Sequence, residues 1–505
     1  TQPMSNPNVE LYSKGKINLA DVTNFYPMED VKKLEGMMNL DLNLKAKKSD
    51  IQSKNYQAIS ANGVAEIKGL IYESTSVEKP MRISDVTLNF SPQYVDVTSC
   101  VGNIGSTDFN LKGKLENFIG YYMSKDEVMK GNINLICQKV DMNEFTSDKK
   151  STKNEYVMVP QKIDFSGTAM IKEMKYGKMT IENISGNMNV KDEKINLNNV
   201  SADLLGGKAK INAVYSTVGQ SKPSTTMQYD IESFDITQVY HYMESAPQIA
   251  PIMQYMTGKL SSKSNLSMAL LPDMSPDLNT LNGDFAVAIP FAKIVNLPAL
   301  QQIASITKLS QLQNLEASNI NTKMSFVNGK MLVQPMNFKA NNLNIGLQGM
   351  QGLDKSIDYK MAVDVPFSQL GDATSIVNGL ISKFKVPFIG NINPETIRLN
   401  LNIKGFFDKP QVSLGAPEIL SGGKAASAST VAIDAVKKVG EDVKAQALKT
   451  ADSLKNAALN EAQKQADILK KQAEDKANEL KKKAEDEINK KKDDVLKELK
   501  KKLPW

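Results

Sequence analysis

Along most of this chain apolar residues recur at every second position. Met38, Leu40, Leu42 and Leu44 form one such series, Val86, Leu88 and Phe90 another, and Leu399, Leu401 and Ile403 a third. The stretch "GDFAVAIP" puts Phe285, Val287 and Ile289 in the same rhythm. In "NNLNIGLQGMQGLDKSIDYKMAVDVP" (341–366), Leu343, Ile345 and Leu347 alternate with Asn and Gly. Past a turn, Ile357, Tyr359, Met361, Val363 and Val365 alternate with Asp358, Lys360 and Asp364. A period of two with one polar face predicts half-exposed, mostly antiparallel strands.

Glycine punctuates the pattern. Gly15, Gly36, Gly63, Gly113, Gly131, Gly167, Gly258 and Gly283 each stand before an alternating run, and the reading is that they open strands with turn geometry at low steric cost. Their spacing is irregular, which makes a loose β-repeat and not a strict solenoid. Three stretches follow a helical period instead: 236–256, 297–315 and 368–384. Pro298 would sit in the first turn of the second, where proline is tolerated. These are expected to be short helices capping or crossing a sheet.

The pattern changes again near Gly415. Residues 416–430 read as a linker and 431–503 as one long helix of Ala, Lys, Glu and Asp, on the order of 110–120 Å if continuous. Its apolar stripe runs from Ala432 to Leu503 in steps of three or four, averaging 3.74 with one break at Lys491. That value exceeds the 3.5 of a heptad repeat, so an ordinary left-handed coiled coil is disfavoured. A solvated charged helix, a membrane-surface helix and an unusual helical assembly all stay open.

Composition fits a sheet with one apolar face better than one deep core. Of 505 residues 41% are hydrophobic and 6% aromatic, with one Trp. The net charge of +6 is concentrated in the tail: residues 424–505 hold twenty Lys against fifteen acidic residues, +5, leaving +1 for the other 423. A body so balanced has no basic field for nucleic acid. His241 is the only histidine, which argues against zinc sites and His-based acid–base catalysis. Cys100 and Cys137 stand 37 residues apart without a CxxC, so one disulfide and two buried thiols both remain open. Phosphate loops, nucleophile elbows, HExxH and calcium-loop motifs are absent, and no cofactor is expected. No apolar run reaches the ~20 residues of a membrane helix, and the Thr1 start is read as a mature or excised fragment.

What remains is the apolar face, which something must cover. A second protein layer and a lipid-accessible trough leave the same signature. The candidate lipid-contacting residues are Leu40, Leu42, Leu44, Val86, Leu88, Phe90, Phe285, Val287, Ile289, Leu343, Ile345, Leu347, Met361, Val363, Leu399, Leu401 and Ile403.

Over about 200–415 the sequence also carries a run of ordered motifs. "YDIESFDITQVYHYM" looks like a strand leading into a helix, and "MTGKLSSKSNLSMALLPDMSPDLNTLNGDFAVAI" like a strand pair of the type G-x-L…x-L-x-x-L-x-G. "LPALQQIASITKLSQL" is followed by a strand ending in Asn328, Gly329 and Lys330 and by closing strands. This order resembles the C-terminal region of AsmA-like proteins of Gram-negative bacteria, in a Bacteroidetes-like style. The resemblance implies a mainly β protein with an elongated, curved antiparallel taco or groove, as in the larger TamB-type relatives. Residues 1–200 would be a β-repeat groove segment and 201–415 the AsmA-like region. It further implies a non-enzymatic periplasmic protein, anchored to the inner membrane in full length, that aids phospholipid transport between membranes and outer-membrane homeostasis. Acyl chains and the membrane are the partners so implied, with an envelope protein possible through the tail helix. The rival is a non-lipid envelope scaffold or outer-membrane assembly factor whose face is closed by protein.

Overall fold

The computed structural model describes residues 6–420 apart from short internal stretches, the longest being 145–155 and 387–394. The helix expected over 431–503 lies outside the described residues. Seven strands begin the chain and pair antiparallel in order: β1 (Asn8–Asn18), β2 (Val31–Lys47), β3 (Ser60–Ser74), β4 (Met81–Phe90), β5 (Tyr94–Ile104), β6 (Thr107–Glu116) and β7 (Met129–Asp141). β8 (Ile163–Tyr176) then joins β7 in parallel, the one parallel pairing among the described strands. Antiparallel order resumes with β9 (Met179–Lys191), β10 (Lys194–Leu204), β11 (Gly207–Ser216), β12 (Ser224–Asp235), β13 (Met256–Ala269) and β14 (Asn282–Ile294). It continues through β15 (Leu315–Val327), β16 (Lys330–Ala340), β17 (Leu343–Gly352), β18 (Ser356–Pro366) and β19 (Thr396–Phe406). β20 (Lys409–Leu414) and β21 (Glu418–Leu420) share the far side of β19.

The protein is therefore mainly β, 65% strand in one open, curved sheet with a few short helices, as the alternation predicts. The described residues belong to one compact unit, and residue 200 lies inside β10, so both β segments expected on either side of it share the sheet. β21 takes residues 418–420 out of the expected linker.

Neighbours in sequence are neighbours in the sheet because tight turns join them. Asp192 and Glu193 (φ 51° and 58°) link β9 to β10, and Asn341 and Asn342 (φ 48° and 65°) link β16 to β17. Two consecutive left-handed residues match the right-handed twist of the strands they join. Asn341 also ties its turn down, its amide donating to the carbonyls of Gln311 and Asn314 at 2.6 and 2.7 Å.

The glycines do not open strands; they lie within them. Gly63 in β3 and Gly283 in β14 have φ of 151° and 152°, which L side chains rarely adopt. A Cβ at Gly63 would drive into the Asp41 carbonyl of β2, and one at Gly283 into the Asn265 carbonyl of β13. Their role is close backbone approach in a bent sheet, for which an in-strand glycine is suited.

Among the described residues seven α-helices interrupt the ladder. Three were not signalled by period: α1 (Leu19–Phe25), α2 (Lys48–Gln52) and α3 (Phe118–Met123). The stretch 236–256 is not one helix. It breaks into α4 (Ile236–Tyr242), α5 (Ala246–Ile249) and a 3₁₀ turn (Pro251–Tyr255), with Pro247 and Pro251 at the starts of the later pieces, since proline is disfavoured in a helix interior. α6 (Pro298–Thr307) opens on proline as expected but ends at left-handed Lys308, short of the expected 315, and α7 (Ala373–Phe384) takes only the later part of the third stretch. α4, α6 and α7 join β12 to β13, β14 to β15 and β18 to β19, so all three emerge at the same end of the strands.

Candidate functional site

The register puts all seventeen candidate side chains on one face. One row of cross-strand neighbours runs Leu42–Gly63–Phe90–Val95–Leu115–Gly131–Phe165–Val190–Ile195–Tyr215, from β2 to β11. The next runs Leu40–Ala65–Leu88–Val97–Gly113–Ile133–Gly167–Met188–Leu197–Ala213. Neither row contains a charge, and its one polar group, the Tyr215 hydroxyl, donates to the Val157 carbonyl. Leu44 and Val86 extend the same face along β2 and β4.

The second row does not stop at β11. It continues Met227–Leu266–Gly283–Phe326–Met331–Gln351–Ile357 from β12 to β18. Phe285, Val287 and Ile289 of β14 share that face, beside Met324, Thr322 and Ile320 of β15. Farther on, Ile345–Val363–Leu399 and Leu347–Met361–Leu401 stand in register, with Ile403 beside Tyr359 and Leu343 beside Ala340.

Strict alternation alone would not keep these residues together. In β10 the odd positions Ile195 and Leu197 face the apolar side, then the even positions Val200 and Ala202 do, because a bulge at Asn198–Asn199 (Asn199 φ 52°) absorbs the slip. Ser233 (φ 59°) does the same in β12, and Gln334–Pro335 in β16. A bulge is where one strand gains a residue and where proline is admitted.

Cover differs sharply along the face. Ten of 51 buried apolar side chains precede residue 205 among the described residues, and both hydrophobic clusters consist of later residues. Before that point Leu40, Leu42, Leu44, Leu88 and Phe90 are half-buried, Val86 is buried, and Val9, Leu11 and Met188 stay 56%, 54% and 44% exposed. After it, Ile236 and Val239 of α4, Leu300, Ile303 and Ala304 of α6, and Ala373 and Val377 of α7 pack with the sheet residues. Leu343, Ile345, Met361, Val363, Leu399, Leu401, Ile403 and Ile289 are buried in that cluster, so protein, not an open trough, covers them. Phe285, Val287 and Leu347 are partly buried at its margins.

A strap reinforces this cover. Gln351 Nε2 of β17 donates to the Ile249 carbonyl of α5 at 3.2 Å, and the Tyr255 ring meets Phe407, just past β19, at 6.1 Å. Residues 243–255 thus reach from β12–β13 to β17–β19. The second cluster likewise gathers Met227 of β12 and Tyr359 of β18 around common side chains. Six strand spacings would hold them about 29 Å apart on a flat sheet, so the sheet curls toward its apolar face here. Burial pushes the Tyr359 hydroxyl far above its ordinary value.

No protein-family model, no curated protein and no solved structure matches the chain.

The remaining chemistry is sparse. Cys100 and Cys137 are free thiols, Cys100 half-buried and Cys137 buried, and burial raises both pKa values. Among the described residues no group of His, Cys, Asp and Glu could hold a metal, and no helix is long and apolar enough to cross a membrane. A depression of about 1070 Å³ lies across β11–β16 on the opposite, polar side, lined by Lys210, Asp230, Lys263, Ala286 and Lys323. It marks where small Ala286 interrupts long side chains in the row Lys263–Ala286–Lys323. Lys263 and Asp230 pair there at 2.8 Å in solvent.

Proposed function

We propose that this protein binds lipid acyl chains on the apolar face of its curved sheet and aids phospholipid movement between the inner and outer membranes. The observation that carries the reading is the pair of charge-free rows across β2–β11, over which the described residues place no second layer. Nine strand spacings and two face positions per strand give these rows a footprint on the order of 600 Å², which Leu44, Val86 and Leu111 enlarge on either side. Soluble monomers rarely expose more than about 300–600 Å² in one patch. Protein interfaces are only about 56–58% apolar as a whole, so rows whose one hydroxyl, that of Tyr215, is already engaged suit hydrocarbon better than a protein partner. Each CH₂ moved from water onto such a surface contributes about 0.8 kcal/mol, and no covalent step is needed.

The motif order over 200–415 resembles AsmA-like proteins, and that resemblance supports the periplasmic setting, the inner-membrane anchor in the full-length protein and the phospholipid cargo. Mass spectrometry of lipids released from the purified protein tests the reading: phospholipid bound in stable proportion supports it, and a lipid-free protein with unchanged behaviour after delipidation refutes it. The second reading, an envelope scaffold whose face is closed by protein, is favoured by one feature, the cover of β12–β19 by α4, α6 and α7.

A further inference from the structure

We infer that the hydrocarbon-binding length of the face is confined to β1–β11 and ends at a built stop over β12–β19. This inference rests on the lipid reading above and adds where the chain can lie. Two independent changes coincide at that border. The first is chemical: the second row itself runs on as Met227–Leu266–Gly283–Phe326–Met331, but the rows beside it in β12–β15 carry the hydroxyls of Tyr229, Ser262, Ser264 and Thr322, where the same side of β4, β6 and β11 carries Val86, Leu111 and Ile211. Ser262 and Ser264 are buried, the former 3.4 Å from the Tyr229 hydroxyl and the latter donating to the Asp284 carbonyl. These hydroxyls are engaged within the protein and Ser262 and Ser264 are already buried, so the face here is filled by its own side chains and is not a bare hydrocarbon surface.

The second change is steric. The strap 243–255 occupies the face, held by the Gln351–Ile249 hydrogen bond and the Tyr255–Phe407 contact, with the side chains of α4, α6 and α7 buried beside it. An acyl chain sliding from β1 therefore meets side chains already packed to exclusion. The occupant is a lipid tail, because the uncovered rows carry no charge and their one donor, Tyr215, is engaged with Val157, which leaves nothing with which to select a peptide. Lipid enters and leaves such a trough on the β1–β11 side, and the β12–β19 end is a stop.

The test is to place a photo-crosslinking residue singly at Leu42, Ile133, Val287 and Leu347 and expose the whole protein to vesicles of phosphatidylethanolamine and phosphatidylglycerol. Val287 and Leu347 are only partly buried, so the probe is tolerated there as well. Lipid adducts are expected at 42 and 133 and about tenfold fewer at 287 and 347, the ratio that about 1.4 kcal/mol of exclusion gives. Equal labelling at all four sites overturns the stop while leaving the lipid reading intact, and no adduct at any site overturns the lipid reading itself. In the variant Tyr255→Ala with Gln351→Ala, labelling is expected to spread to 347. Failure to spread, in a protein still labelled at 42, overturns the assignment of the stop to the strap.

Discussion

Placing acid on the two parts of the face separates an uncovered surface from a core. In Ile345→Asp with Met361→Asp, both sites start almost fully buried, at 1% and 6% exposure, inside the cluster that α6 and α7 close. Each change forfeits about 1.5–3 kcal/mol of apolar burial. Each also leaves a carboxylate that must stay protonated or be hydrated, at several kcal/mol. The pair together reaches or exceeds the 5–15 kcal/mol by which a domain is stable. In Leu42→Asp with Leu88→Asp the side chains are half-buried on the uncovered rows, so the carboxylates reach water and the expected loss is about 1–2 kcal/mol per site. Urea unfolding followed by far-UV circular dichroism, with lipid content by mass spectrometry on the same samples, reads both outcomes. The first variant should fail to fold cooperatively. The second should fold and lose its lipid. A first variant within about 1 kcal/mol of the parent would refute the helix cover, since no closed core absorbs two carboxylates so cheaply.

Gly63→Ala should lower the urea midpoint strongly, because φ 151° is strained for alanine and its Cβ would push β2 away at Asp41; an unchanged midpoint would show that the two strands do not approach so closely. Arg398→Met should cost about 3–5 kcal/mol, since Asp364, which accepts from Arg398 Nε and Nη2 at 2.6 and 2.9 Å, would be left charged and buried. Adding Asp364→Leu to that variant should recover most of the loss in the same unfolding experiment. For Cys100, burial and then the nearby Asp85 charge hold the thiol above its ordinary pKa. A folded pKa above the unfolded one gives stability that is present below the unfolded value and lost as pH rises through the folded one. The midpoint should therefore fall above about pH 9, less so in Cys100→Ser with Cys137→Ser, and iodoacetamide should modify Cys100 more slowly when lipid is bound.

Much of this architecture was legible in the sequence because period two is a direct consequence of strand geometry. Leu40, Leu42 and Leu44, or Leu399, Leu401 and Ile403, can only line one side of a strand, and strands joined by two-residue turns such as Asn341–Asn342 hand that side on to their neighbours. The glycines were misplaced because a residue compatible with turns is equally suited to a bent strand, and only the approach of Asp41 to Gly63 tells which applies. The bulges at Asn199, Ser233 and Pro335 look like lapses of alternation in the sequence, yet they preserve the face. The signal was present: in each case the apolar parity flips across a residue suited to a left-handed or unpaired position. The cover was hardest to foresee. Whether Ile345 and Val363 meet lipid or α6 depends on where helices inserted at strand connections fold back, and period two carries nothing about that.

That dependence explains how one uniform pattern yields two kinds of surface. A strand with a polar and an apolar face is indifferent to what covers the latter, so the ladder repeats from β1 to β19 without changing its own rule. What changes is the connection. Before β12 the described helices in the joins have at most seven residues, such as Leu19–Phe25, and of the described joins only the β10–β11 turn, through Leu205, reaches a hydrophobic cluster. From β12 on, three joins emerging at one end carry the apolar side chains of α4, α6 and α7 over the face. Stability is thereby concentrated in β12–β19, where all of the largest fully buried side chains lie. On the lipid reading, the β1–β11 stretch rests on its hydrogen-bonded ladder and gains from bound lipid, because a bound molecule that prefers the folded state stabilises it by mass action. On the same reading a lipid leaving such a surface has no packed core to break, which is the energetic condition for the release that the proposed carrier role requires.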